Sequence, residues 1–198
     1  MENIMDNEKD PLAWEEVETE HLVTDEWMDF RRCMYRLPNG RVFGPFYTYS
    51  QKDYVVIVAS DTEGKFLCER QFRPGISTVT TEFVAGHIEA SDMRDPAVGL
   101  TAEDVLSAAK RELREETGYA SDDWTPLLTL PSNASIADNH AYLFAARNCR
   151  KVSGQQLDDT EFLKVVRHSA EEIEEMIAAG RFQMSMHVTA WLLAQRMH

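Results

Sequence analysis

No uninterrupted apolar run in this 198-residue chain exceeds the six residues of Tyr54–Ala59, far short of the roughly 20 that a membrane-crossing helix needs. A membrane partner is therefore not expected. The opening stretch is polar and acidic where a secretory signal would be basic and then apolar, so export is not expected either. Cysteine is scarce, and Cys33, Cys68 and Cys149 are far apart with no CxxC pair. That excludes a zinc ribbon or a dithiol redox motif and points to buried, reduced thiols in a cytoplasmic protein. Basic residues are the third shortage: 20 Lys and Arg stand against 34 Asp and Glu, for a net charge of −14. Such a surface repels nucleic acid polymers and anionic membranes. If the ligand is itself anionic, a bound divalent cation or a few focused arginines must reverse the field locally.

What is present is ordinary globular composition, 43% hydrophobic and 27% charged, which argues against disorder, collagen-like repeats and coiled coils. Residues 1–11 lack periodicity and read as a flexible tail, and residues 12–198 as a single domain. Within 12–50, two aromatic- and Val-bearing runs flank Pro38-Asn39-Gly40, which predicts an antiparallel hairpin. Strands are predicted at Tyr54–Ser60, Lys65–Phe72 and Thr78–Ala85, and again at Trp124–Leu130, Ala141–Ala146 and near Glu161–Val166. A helix capped by Thr101 and ended by Gly118 separates the two groups, and two helical patterns, Ala170–Ala179 and Met184–Met197, follow. Strands around a central helix, with helices closing the chain, give an α/β fold: an α/β/α sandwich of mixed sheets with an antiparallel β extension at the N-terminus.

The central helix carries Arg111-Glu112-Leu113-Arg114-Glu115-Glu116-Thr117-Gly118-Tyr119. At about 100° per residue, Glu115 lies about 60° to one side of Glu112 and Glu116 about 40° to the other. Three carboxylates thus share one face, beside an apolar stripe of Leu106, Ala109 and Leu113. They repel unless a cation neutralises them, and hard oxygen ligands suit magnesium or manganese.

This segment resembles the second half of the Nudix box, G-x5-E-x7-R-E-U-x-E-E-x-G-U with U apolar, and Glu103 has the required seven residues before Arg111. The box glycine is read as Gly86, which leaves 16 residues between Gly86 and Glu103 where the pattern has five, an insertion of 11. Gln71-Phe72-Arg73 and Glu82-Phe83-Val84-Ala85-Gly86 resemble the Q-x-R strand and E-x-x-A-G turn of the subfamily that cleaves ADP-ribose and other nucleoside diphosphate sugars.

The resemblance implies metal ligation by Glu112, Glu115, Glu116 and the Ala85 carbonyl, with Arg111 and Glu103 bracing helix and loop. It implies that Mg2+ or Mn2+ serves the hydrolysis of a diphosphate bond, and that Arg73 clamps a phosphate oxygen with Glu82 beside it. The subfamily often draws a catalytic base from the loop after the box. Pro131–His140 contains no Glu, so Asp138 or His140 could act, as could a box glutamate. The polar segment Ala90–Pro96 is expected to be a mobile flap over the substrate. The N-terminal strands resemble the region through which that subfamily forms homodimers. The competing expectation is a Nudix-like domain that senses a nucleotide without turning it over.

Overall fold

The computed structural model describes residues 10–197 apart from 96 and 160, so the tail expected over residues 1–11 lies, but for its last two positions, outside the described residues. The chain divides into two units, one of residues 10–52 with 131–139 and one of 53–130 with 140–197.

The first unit is an antiparallel three-stranded sheet of β1 (Glu15–Thr24), β2 (Asp29–Arg36) and β3 (Val42–Ser50), with β2 in the middle. The β2–β3 turn is the expected Pro-Asn-Gly hairpin, and Gly40 supplies the positive φ of 81° that the turn requires. Strand β1 was not expected, because its acidic residues give little apolar alternation. Its pairing is read instead in charge: Glu15 lies opposite Arg36 and Glu20 opposite Arg32, and both pairs form ion pairs. Residues 131–139 join this unit through Tyr49 N–H donating to Ile136 O at 2.8 Å and through Asp138, which binds Arg31 and Ser50.

The second unit is built on β4 (Tyr54–Asp61), β5 (Phe66–Arg73), β6 (Thr78–His87), β7 (Tyr119–Ala120), β8 (Asp123–Pro131), β9 (His140–Lys151) and β10 (Leu163–His168). Its strand order is β10-β5-β6-β4-β9-β7, with β8 paired to β9. The β4–β9 pair is parallel and the other registers are antiparallel, so the sheet is mixed as expected. Strand β4 is buried on both faces and alternates with period two. Val55, Ile57 and Ala59 pack with Leu67, Val84 and the helix α1 (Ala102–Thr117), while Val56 and Val58 pack with Phe83, Ile173 and Trp191. The second face is covered by α2 (Ala170–Ala178) and α3 (Ser185–Ala194). His187 is part of that layer: burial pushes its imidazole down to about 4, and its Nδ1 accepts the Phe83 N–H. No described helix is long and apolar enough to cross a membrane.

Both ends of α1 are tied down. At its start Thr101 and Asp104 exchange bonds in a capping box. At its end Gly118 takes φ 73°, Gln155 donates to Glu116 O at 2.7 Å, Gln156 N–H to Glu115 O at 2.8 Å, and Lys151 to Thr117 O at 3.0 Å. A Cβ on Gly118 would overlap the Ser153 carbonyl. Gly118→Ala is therefore expected to destabilise the protein by more than the ~1–2 kcal/mol of left-handed strain alone, measured as a drop in the denaturant midpoint at unchanged slope.

Candidate active site

Period-two alternation decides which side chains of β5 and β6 meet α1. With Leu67 and Val84 on that face, Glu69, Gln71 and Arg73 of β5 and Thr80, Glu82 and Gly86 of β6 follow on the same face. The apolar residues Val105, Ala108, Ala109 and Leu113 press α1 onto the sheet, and the helical period carries Glu112 and Glu116 inward with them, 7% and 4% exposed. Glu115 sits at the edge, half-buried. The three box glutamates thus do not form one exposed face. Two are driven into the interface and one borders a cleft of about 490 Å3 that Lys110, Arg114, Trp124 and Gln156 also line.

Gly86 fits this arrangement for a steric reason. A Cβ there would overlap the Glu112 carboxylate, so that carboxylate can keep its place against β6 only over a glycine. The adjoining Ala85 is half-buried at the same end of the strand.

Arg111 is the fastening. Its Nε and Nη2 bind the two oxygens of Asp92 at 2.9 Å each, Nη2 also binds His87 O at 3.0 Å, and Nη1 lies 2.9 Å from both Glu112 and Glu115. Burial opposes ionisation of Asp92, but the bidentate bond to Arg111 holds its carboxyl below the usual range. The same partners hold Arg111 firmly protonated. Glu103, the acid expected to brace Arg111, instead lies exposed and pairs with Arg94. The brace is Asp92, separated from Gly86 by five residues, so the first part of the pattern is met as G-x5-D. The added length consequently falls after the acid, with 18 residues, 93–110, where the pattern has seven.

This also changes the reading of the segment expected to be a flap. Asp92 caps a short 3-10 turn, Ala90–Asp92, by accepting the Glu89 N–H, and is buried under Arg111. Arg94 N–H donates to Asp104 at 3.0 Å. Segment 90–94 is fastened to α1 at both ends.

Arg73 and Glu82 are brought together as expected, with a different division of roles. Glu82 is fully buried, and both its oxygens are taken, by Gln71 at 2.8 Å, Thr80 at 2.7 Å and two nitrogens of Arg73. It can reach a ligand only through Arg73. The guanidinium is about one-third exposed, and its Nη1 has no partner among the described residues. Asp138 belongs to the first unit, where Arg31 and Ser50 hold it. His140, in the second, donates its backbone N–H to Asp53 at 2.7 Å, which also accepts the Tyr142 hydroxyl.

Besides Asp92, two carboxylates were not singled out by the sequence. Glu69 is completely buried beside Glu116, and Glu161, just before β10, bears on both Glu112 and Glu116. Burial pushes the Glu112 carboxyl up to about 7 although Arg111 opposes it. Burial, followed by the mutual repulsion of the cluster, raises Glu116 as well, and Glu69 is also raised, chiefly by burial. Glu69 could have been found by alternation, because it stands two residues from the core residue Leu67 and two before Gln71, on the same face of β5. Glu161 carries no local signal.

The cluster suits a divalent cation. Both oxygens of Glu69 and Oε2 of Glu116 are buried with no hydrogen-bond partner, a costly state for carboxylates that a hard cation relieves. Among the described residues no three acidic, His or Cys side chains are already closed into a ligand shell. Arg111 Nη1 lies on Glu112 and Glu115, so it occupies carboxylate oxygens that a cation would need.

A family model, the NUDIX domain, matches residues 50–188. The chain is 25% identical to a methanol dehydrogenase activator of Bacillus methanolicus over 88% of each chain. It is 26% identical to an ADP-ribose pyrophosphatase of Bacillus subtilis over 71% of this chain and 70% of that one. Its fold matches the crystal structure of an ADP compounds hydrolase with a TM-score of 0.73, at 21% identity over 92% of both chains.

The Arg111 geometry separates its two candidate braces. Asp92→Ala leaves part of a buried guanidinium unpaired and is expected to cost about 3 kcal/mol in urea unfolding, whereas Glu103→Ala should leave the midpoint nearly unchanged.

Proposed function

The chain belongs to the Nudix family, and from that membership we propose that it is a divalent-metal-dependent hydrolase of a nucleoside diphosphate linked to a second group, with ADP-ribose or an ADP-sugar as substrate. The observation that carries the proposal is the set of buried, unpartnered carboxylate oxygens where α1 meets β5 and β6. The names borne by the Bacillus subtilis relative and the similarly folded hydrolase support an ADP-linked substrate.

On this reading Glu112, Glu115, Glu116 and the Ala85 carbonyl hold Mg2+ or Mn2+. The ion, when bound, offsets the diphosphate charge and makes water a stronger acid. Arg73 offers Nη1 to a phosphate oxygen while Glu82 fixes the plane of its guanidinium. Glu161 supplies the proton acceptor sought in the 131–140 loop. Its Oε2 is held by the Asp158 N–H at 2.9 Å, and the charge on its carboxylate reaches the box glutamates. Arg111 keeps helix and strand in register and touches no substrate.

A homodimer through the N-terminal strands belongs to the same reading. Val17, Val23, Phe43 and Tyr47 on the three-stranded sheet, and Trp14 and Trp27 in the segments flanking β1, are all more than 40% exposed, more large apolar surface than one small sheet normally leaves in water. Sedimentation should give twice the 22.7 kDa chain mass, and Trp27→Glu with Phe43→Glu should return it to a monomer.

The test of function is AMP release from ADP-ribose, ADP-glucose, NAD, diadenosine polyphosphates and nucleoside triphosphates. Turnover of ADP-ribose with Mg2+ or Mn2+ is expected, abolished by chelator, and lowered on the order of 100-fold or more in Glu116→Gln and Glu161→Gln. Binding of ADP-ribose with no turnover of any compound would establish the sensor instead.

A further inference from the structure

Position 69 of β5 carries a glutamate that neither folding nor the hydrolase scheme above uses. Strand β5 presents Leu67 and then Glu69 to α1, with Cys68 between them on the opposite face. A residue at position 69 meets the interior of the sheet, where Leu or Val would be stabilising and a carboxylate costs several kcal/mol unless its charge is met. Glu69 is 0% exposed, and neither of its oxygens receives a hydrogen bond. Its cross-strand neighbour is Glu82, whose own oxygens are fully taken by Gln71, Thr80 and Arg73, so Glu69 gains no bond there and only the more distant charge of Arg73 acts in its favour. On the helix side it comes within hydrogen-bonding reach of Glu116, so the two acids either hold a proton between them or repel each other unless a cation takes its place. The facing Oε2 of Glu116 is likewise without a partner.

We propose that Glu69 is a further carboxylate of the divalent-cation site, reaching the ion bound by Glu116 directly or through one of its waters. The inference rests on the metal-dependent reading of the box. It adds a ligand from the sheet to those from the helix, so that the cation clamps β5 to α1 at the point where their acids oppose each other. The energetic logic is that of any buried acid pair: each carboxylate is costly alone, costlier beside the other, and both costs are relieved by one shared cation. Loss of an outer carboxylate of a metal site lowers affinity on the order of 10- to 100-fold.

The experiment is Mn2+ binding to the full chain without substrate, followed by electron paramagnetic resonance of free Mn2+ and by calorimetry, for wild type, Glu69→Gln, Glu69→Leu and Glu116→Gln. Melting temperature in chelator and in Mn2+ is read in parallel. Glu69→Gln and Glu69→Leu are expected to bind Mn2+ about 10-fold more weakly or more, to melt higher than wild type in chelator, and to gain less from Mn2+. Glu69→Leu removes the carboxylate without adding any polar atom and keeps the test open if the amide is poorly tolerated. Wild-type affinity in both Glu69 variants, alongside weakened binding in Glu116→Gln, would overturn the inference and leave the hydrolase reading standing. Absence of Mn2+ binding by the wild type would overturn both.

Discussion

Everything around the site depends on how one repulsion is met: α1 brings Glu112 and Glu116 against a sheet face that already carries Glu69 and Glu82. At an effective dielectric of about 20, two like charges about 4 Å apart repel by about 4 kcal/mol. Burial of a side chain such as Leu113 returns about 2 kcal/mol, so several apolar contacts are needed to oppose a single uncompensated pair. The helix stays because its apolar stripe is long and its ends are capped, and because Arg111 stands at the crowded edge with bonds to Asp92, the His87 carbonyl, Glu112 and Glu115. Glu82 is neutralised separately by Arg73. What is left without a partner is the Glu69–Glu116 contact, which is where a cation has most to give.

The long connection from β6 to α1 is tolerable for the same reason. Lengthening a loop from about seven residues to about 18 adds only about 0.8 kcal/mol of closure entropy. The bidentate Arg111–Asp92 pair, mostly buried, outweighs that several times over. The helix is positioned by a bond made before the added residues begin, so the length of the connection and the placement of the carboxylates are decoupled.

Local periodicity made most of the fold legible. The β4–β5 alternation, the Pro-Asn-Gly hairpin, the Thr101 cap and the Gly118 stop each had a short-range physical cause, and the structure follows them. Strand β1 was missed because its pairing is encoded in the charges of β2, visible only once the two are opposed. Within the site, Glu112, Glu116 and Gly86 were legible because helical spacing and a box pattern are local. Asp92 was passed over because Glu103 satisfied the seven-residue spacing, and spacing cannot tell an exposed acid from a buried one. Glu69 and Glu161 come from segments brought to α1 only by sheet register, the second of them from beyond β9.

The charge balance at the site has one more consequence. Asp92, Glu69, Glu82, Glu112, Glu115, Glu116 and Glu161 crowd around Arg73 and Arg111, both already engaged by acids, while Lys110 and Arg114 line only the cleft beside Glu115. Neither arginine has a full positive charge to spare, and the chain as a whole carries −14. A diphosphate approaching this site unaided would meet repulsion from both the overall field and the nearest side chains. On the proposed reading, a cation held by the box glutamates would offset this acidity for an incoming diphosphate. On the same reading, the acidity that the composition sets against anionic partners in general would also make the site conditional on a cation for an anionic substrate.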